Sequence, residues 1–163
     1  MASILEFLRR MNEQGVRYVV IGRYAGIVHG APLPTEDIDV CVPLDQENLR
    51  KILAALGDPH LRFRMRPDKP QVPSDPARLK GFKNLYLVSD IGRVDMLTEV
   101  RGIGAFDEVI RHTQVAEIEG QSFHVLNLDA LIRAKRAAGR RKDLRAVVEL
   151  EAIRRRIDEH KGE

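Results

Sequence analysis

The segment Thr35-Glu36-Asp37-Ile38-Asp39-Val40-Cys41-Val42 sets two carboxylates at i and i+2 inside an otherwise apolar run. It follows shortly after the apolar stretch 16–21 and Gly22. A run this short and this rich in Val and Ile predicts a β-strand. Side chains alternate along a strand, so Asp37 and Asp39 point to the same face. Two like charges side by side on a half-buried strand repel each other. A divalent cation is the usual way to offset that repulsion, so the pair reads as a metal site. The plainer reading is that each Asp is a solvated strand-end residue or a helix cap.

Asp95 sits in Arg93-Val94-Asp95-Met96-Leu97, where a purely structural strand prefers Val or Ile. If that strand neighbours the first, Asp37, Asp39 and Asp95 converge with their oxygens close enough to share a metal. Three oxygen donors with no His or Cys beside them suit Mg²⁺ or Mn²⁺ rather than Zn²⁺. Magnesium keeps several waters and is usually completed by substrate phosphates. Gly22, where a strand passes straight into a helix, offers free backbone N–H groups to an anion. Such turns also use Gly for its backbone freedom alone.

The surrounding pattern predicts an α/β or α+β domain, a mixed sheet flanked by helices. A helix over 4–11 ends at Gly15, a strand covers 17–21, and a short helix follows over 23–29. The second strand covers 37–42, after the turn-rich connector 30–34. An amphipathic helix over 46–56 presents Leu49, Ile52, Leu53 and Leu56 on one side. Residues 61–65 alternate as an edge strand does, and 66–80, with four of the eight prolines, reads as a mobile loop. Two hairpins, 85–97 and 114–126, precede helices over 127–138 and 141–157, with a frayed tail beyond. At 163 residues the chain is read as a single domain over 1–163, its C-terminal helical part at about 127–157.

Apolar content of 44% and charged content of 31% fit an ordinary globular protein. The net charge of +3 does not by itself imply nucleic-acid binding. The basic residues concentrate between Arg133 and Arg156, where they could meet an anionic ligand. One cysteine, Cys41, excludes an intrachain disulfide. No signal peptide is evident, and no apolar run approaches the ~20 residues of a membrane span, so a cytoplasmic protein without membrane contact is expected.

Together, Val19-Val20-Ile21-Gly22-Arg23-Tyr24-Ala25, the Asp37/Asp39 pair and the later Asp95 resemble the DNA polymerase beta-like nucleotidyltransferase superfamily. Leu128-Asp129-Ala130-Leu131-Ile132-Arg133-Ala134-Lys135 and Gly139-Arg140-Arg141-Lys142-Asp143-Leu144 look like its small bacterial members, the minimal nucleotidyltransferases and abortive-infection toxins. The resemblance spans nearly the whole chain. It implies a nucleoside triphosphate such as ATP, Mg²⁺ (or Mn²⁺), and transfer of a nucleoside monophosphate to a hydroxyl on RNA, a protein side chain or a small molecule. It implies Asp37 and Asp39 as metal ligands, and Asp95 as the third ligand and the base for the acceptor's proton. Gly22 and Lys135 would contact the triphosphate. An antitoxin protein would be the partner if the chain is a toxin. Two positions depart from the family pattern. Arg23 stands where Gly or Ser is expected, so it either contacts phosphate or crowds the loop. Ala146 stands where the family's helix often has Asp. A catalytically silent nucleotide- or partner-binding module is the alternative. His29 reads as a helix-end cap or as a residue near the nucleotide. The run from Arg140 to Lys142, with Arg145, reads as a solvated face or as a groove for RNA or triphosphate.

Overall fold

The computed structural model describes residues 3–32, 37–57 and 60–162. Thr35 and Glu36 of the acidic segment, and Leu33 and Pro34 of the connector, lie outside the described residues. Helix α1 (Ile4–Glu13) starts where Ser3 accepts a hydrogen bond from the Glu6 N–H, and buries Phe7, Leu8 and Met11. Strand β1 (Val19–Ile21) leads directly into α2 (Gly22–Val28). Strand β2 (Asp37–Cys41) follows, then α3 (Gln46–Leu56), capped by Asp45. Next come β3 (Arg62–Phe63), a 3-10 turn at Pro76–Leu79, and the hairpin of β4 (Asn84–Ser89) and β5 (Gly92–Leu97). A small ribbon, β6 (Glu99–Val100) with β7 (Gly104–Ala105), precedes the one-turn helix α4 (Phe106–Val109). The hairpin of β8 (Thr113–Ile118) and β9 (Gln121–Leu126) leads to α5 (Leu128–Ala138) and α6 (Arg141–Lys161).

Seven strands form one mixed sheet in the order β3-β4-β5-β2-β1-β9-β8. The β2–β5 and β1–β9 pairs are parallel and the rest antiparallel. One sheet face is apolar and closed: Ile38, Val40, Leu85, Leu87, Val94 and Met96 are all buried there. Helix α1 covers it, its Phe7 ring meeting Tyr18 edge-on at 5.9 Å, and α3 packs beside α1. The other face carries α2, α5 and α6 near β1 and β9. Beyond β2, among the described residues, no helix packs extensively on β5 or β4, and that side is the open one. That asymmetry makes room for a site.

The mixed sheet with flanking helices agrees with the sequence reading, and the differences have local causes. Strand β1 starts at Val19, because the Arg17 N–H donates to Asn48 Oδ1 at 2.9 Å rather than to a neighbouring strand. Buried Asn48 also donates to the carbonyls of Arg17 and Pro43. Residues 66–80 are tied down rather than loose: Val72 and Leu79 are buried, and Gln71 bridges to Arg62. The predicted frayed tail is helical through Lys161, where Arg154 links Asp129 to Asp158. The β6–β7 ribbon and α4 were not anticipated, being too short to show a period. Among the described residues no helix is long and apolar enough to cross a membrane.

Candidate active site

Strand register assembles the acids. In the parallel β2–β5 ladder, Asp39 stands opposite Asp95 and Asp37 opposite Arg93. Neighbours in register share a face, so Asp37, Asp39 and Asp95 all point to the open side of the sheet. They line one cleft of about 700 Å³, together with Gly22, Arg23, Lys135, Arg140 and Tyr86. All six residues proposed from sequence border this cleft, three acids below and Gly22, Arg23 and Lys135 on the helical wall.

The acids are not yet closed around one point. No group of three acidic, His or Cys side chains among the described residues stands at metal-holding spacing. Asp95 is engaged by Arg64, whose guanidinium donates to its Oδ1 at 2.6 Å. By donor chemistry the set fits a hard cation: carboxylate oxygens only, on one face, in adjacent strands.

Asp39 is under electrostatic strain. Burial, reinforced by the nearby Asp95 and Asp37 carboxylates, pushes its carboxyl from its ordinary 3.8 up to about 6. Lys135 and Arg64 pull the other way without winning. Gly22 makes this burial possible. It holds φ +67°, and a Cβ there would lie 2.9 Å from Asp39 Cβ and 3.0 Å from its Cγ, with Oδ2 closer still. The glycine therefore gives Asp39 its seat, a role sequence reasoning did not assign to it.

The helical wall is cationic and internally braced. Asp143, 1% exposed at the start of α6, was not named as a site residue. It accepts from Arg140 Nε at 2.6 Å and lies 3.6 Å from Lys135 Nζ. Burial raises the Asp143 carboxyl, but the bond from Arg140 and the charges of Arg140 and Lys135 outweigh it, leaving it below its usual range. Burial likewise draws the Lys135 ammonium below its usual range, against Asp143 and Asp39, which hold its proton. One buried acid thus aims two cations into the cleft. The sequence signal was an Asp three residues past Arg140, where a helix begins.

Arg23 is exposed, and among the described residues it forms no ion pair. It does not reach the site's aspartates, and it stands near enough to Lys135 to lower that ammonium's pKa. His29 ends α2 and bonds the Leu126 carbonyl through Nε2 at 2.8 Å, so it ties α2 to β9 and does not line the cleft. In the run from Arg140 to Lys142, Arg140 and Lys142 border the cleft. The Cys41 thiol is buried and pushed up to about 12, which makes it a packing residue.

No family model matches the chain, and no curated protein matches it. Solved structures do. A candidate nucleotidyltransferase from Thermotoga maritima superposes with a TM-score of 0.58 at 19% identity, over 96% of this chain and 91% of that one. An antigenic nucleotidyltransferase-like protein from Paracoccidioides brasiliensis superposes at 0.52 and 15% identity, over 91% of this chain and 77% of that one. At these identities the likeness is one of fold, and it extends across nearly the whole chain.

Proposed function

We propose that the protein is a metal-dependent nucleotidyltransferase that moves a nucleoside monophosphate from a nucleoside triphosphate to a hydroxyl acceptor. The observation that carries this reading is the pairing of Asp39 with Asp95 across β2 and β5, opposite a wall of Lys135 and Arg140. Acids facing cations across one cleft suit a ligand that is itself a polyanion held with a divalent metal. Asp37, Asp39 and Asp95 would hold Mg²⁺ or Mn²⁺, which when bound supplies Lewis-acid stabilisation of phosphate charge.

The chain's own groups have distinct tasks. Lys135 and Arg140 hold the triphosphate, Lys135 as a point charge and Arg140 as a planar fork. Asp95 takes the proton from the acceptor hydroxyl. The hydroxyl oxygen bonds the α-phosphorus as the bond to the bridging oxygen of the β-phosphate breaks. Pyrophosphate leaves with that electron pair. The helical wall excludes water from one side, while the open sheet admits the acceptor.

Calorimetry with ATP, CTP, GTP and UTP, with and without Mg²⁺, tests the reading. Binding of at least one triphosphate that strengthens with Mg²⁺ is expected. Absence of any Mg²⁺-strengthened binding would sink it. Arg23→Ser separates its two roles: a phosphate contact predicts roughly a tenfold weaker affinity, about 1.4 kcal/mol, whereas crowding predicts a gain. Its exposure without an ion-pair partner favours the phosphate contact.

A catalytically silent nucleotide-binding module is the second reading, and the Arg64–Asp95 contact favours it. Transfer of a labelled nucleotide decides between them. The toxin half of a toxin–antitoxin pair is a finer form of the first reading. Expression in bacteria then arrests growth, and Asp39→Asn relieves the arrest. Growth unaffected by the intact protein would remove that role.

A further inference from the structure

The two edges of the sheet are built differently. Strands β3 and β8 are the outermost in the strand order. β3 is two residues long and carries Arg62. The loop that follows folds back over it: Gln71 bridges to Arg62, and the Phe63 N–H donates to the Pro70 carbonyl at 3.0 Å. A short, charged and covered edge is how a sheet avoids pairing with another chain. β8 has none of these guards. It runs for six residues, Thr113-Gln114-Val115-Ala116-Glu117-Ile118, without Pro, Lys or Arg. Among the described residues no strand other than β9 pairs with it, and no helix packs extensively on it. Val115, near its centre, is 64% exposed. Water also satisfies an open edge, but guards such as those on β3 are what keep open edges apart, and β8 lacks them.

The ladder fixes which backbone groups are free. The Asn127 N–H donates to the His112 carbonyl at 2.8 Å, which marks those two residues as a hydrogen-bonded pair. Such pairs alternate along antiparallel strands. Continuing the β8–β9 register, Gln114, Ala116 and Ile118 turn their backbone groups toward β9. Thr113, Val115 and Glu117 turn theirs outward, where no partner meets them among the described residues. That outward row is complementary to itself. A two-fold axis normal to the sheet at Val115 lays a second β8 antiparallel to the first. Val115 then faces Val115 of the second copy, and Thr113 faces Glu117 in both directions. Each outward residue meets an outward residue, so every free N–H finds a free C=O. Sliding the register to the next one that keeps the faces matched leaves one outward residue of each copy beyond the other's strand end. No charge faces a like charge. Just past the strand, the same axis brings Arg111, whose side chain is 74% exposed, toward Glu119 of the second copy.

From this asymmetry and this register we infer that β8 is a self-pairing edge, where two copies of the chain join antiparallel into one continuous sheet. The occupant is a second copy rather than an extended segment of a different protein, because pairing at Val115 uses every outward group and sets an uncharged residue opposite Glu117. Main-chain bonds and one Val–Val contact make a small interface, so the association is in the micromolar range. An axis normal to the sheet keeps the same face up in both copies, and both clefts then open to one side. The two β2 strands lie seven strand spacings apart, roughly 34 Å at 4.8 Å each. No residue of β8 lines the cleft, so the pairing stands apart from the transfer chemistry.

Sedimentation velocity over a dilution series, with amide hydrogen exchange read by NMR at both ends of the series, tests it on the intact chain. The mass is expected to double as concentration rises through the micromolar range. In the dilute protein the Thr113, Val115 and Glu117 amides should exchange fast, and in the concentrated protein at least about tenfold more slowly. The Gln114, Ala116 and Ile118 amides, bonded to β9, should stay slow in both. That alternation belongs to edge pairing and to no dimer formed through a helical face. Val115→Lys sets two like charges at the axis and should weaken association at least about tenfold. Val115→Pro should do the same while taking no bond from β9, since the N–H it removes points outward. Arg62→Gln, on the other edge, should leave association unchanged. Thermal melts check that the variants fold, and if neither does, the exchange pattern of the wild type decides alone. A dimer in which Thr113, Val115 and Glu117 still exchange fast would overturn the inference, as would folded Val115 variants that associate like the wild type. A chain that stays monomeric at millimolar concentration would overturn it too, and would leave the edge to an extended segment of a different protein.

Discussion

Asp39→Asn is expected to stabilise the metal-free protein at pH 7 while abolishing nucleotide transfer. In the unfolded chain the Asp39 carboxyl titrates near its ordinary 3.8, and in the folded protein near 6, because of burial and then of Asp95 and Asp37. Below about pH 4 both states hold the proton, and the group costs nothing. As pH rises from about 4 to about 6 the unfolded state releases the proton first, so stability falls. Above about 6 the full penalty is present. The two-unit displacement corresponds to about 3 kcal/mol, of which Asn recovers between 1 and 3 kcal/mol, since it keeps the shape and loses the charge. The wild type and the variant should therefore converge in stability near pH 4 and diverge by pH 7. Denaturant titrations across that range measure the difference. Mg²⁺ should raise the melting temperature of the wild type and leave the variant unmoved. A variant less stable than the wild type at pH 7 without metal would show that Asp39 is not under electrostatic strain.

Gly22→Ala is expected to have the larger effect on activity. The residue holds φ +67°, a conformation that costs an alanine about 1 kcal/mol. The new methyl would also press on Asp39, whose Cβ and Cγ lie 2.9 and 3.0 Å from where it would stand. The carboxylate must then rotate or β2 must shift. Either movement displaces a carboxylate of the proposed site by about 1 Å, which for the proposed reaction should cost a hundredfold or more in transfer rate. Strain and displacement together should cost about 2–4 kcal/mol of stability. Gly26→Ala is the control on the same helix. A Cβ there would meet only the Ala31 Cβ at 3.6 Å, an ordinary contact, so the change should be neutral or stabilise by up to about 1 kcal/mol. Equal losses from the two substitutions would show that the helix, rather than the seat of Asp39, is what glycine serves.

The three acids were legible because a period of two inside an apolar strand forces Asp37 and Asp39 onto one face, and because Asp95 is out of place among Val94 and Met96. Helix α3 was legible over its full length from the apolar stripe of Leu49, Ile52, Leu53 and Leu56, and the structure adds the cap Asp45. Residues that act across long sequence separations were not. Arg64 was visible only as one member of an alternating edge strand, and its grip on Asp95 depends on the β3–β4 and β4–β5 registers together. Asp143 looked like any acid in the first turn of a helix. Its burial follows from how α6 packs on α5, which no local pattern encodes.

The parallel register of β2 and β5 ties the site to the timing of folding. Asp39 and Asp95 lie 56 residues apart in sequence, and parallel strands cannot be joined by a tight turn, so their pairing must wait on the chain between them. That chain contains α3, β3 and β4, the last of which must itself pair with β5. No fragment ending before β5 can bring the acids together. A growing chain therefore cannot set Asp39 against Asp95 until most of its sheet exists.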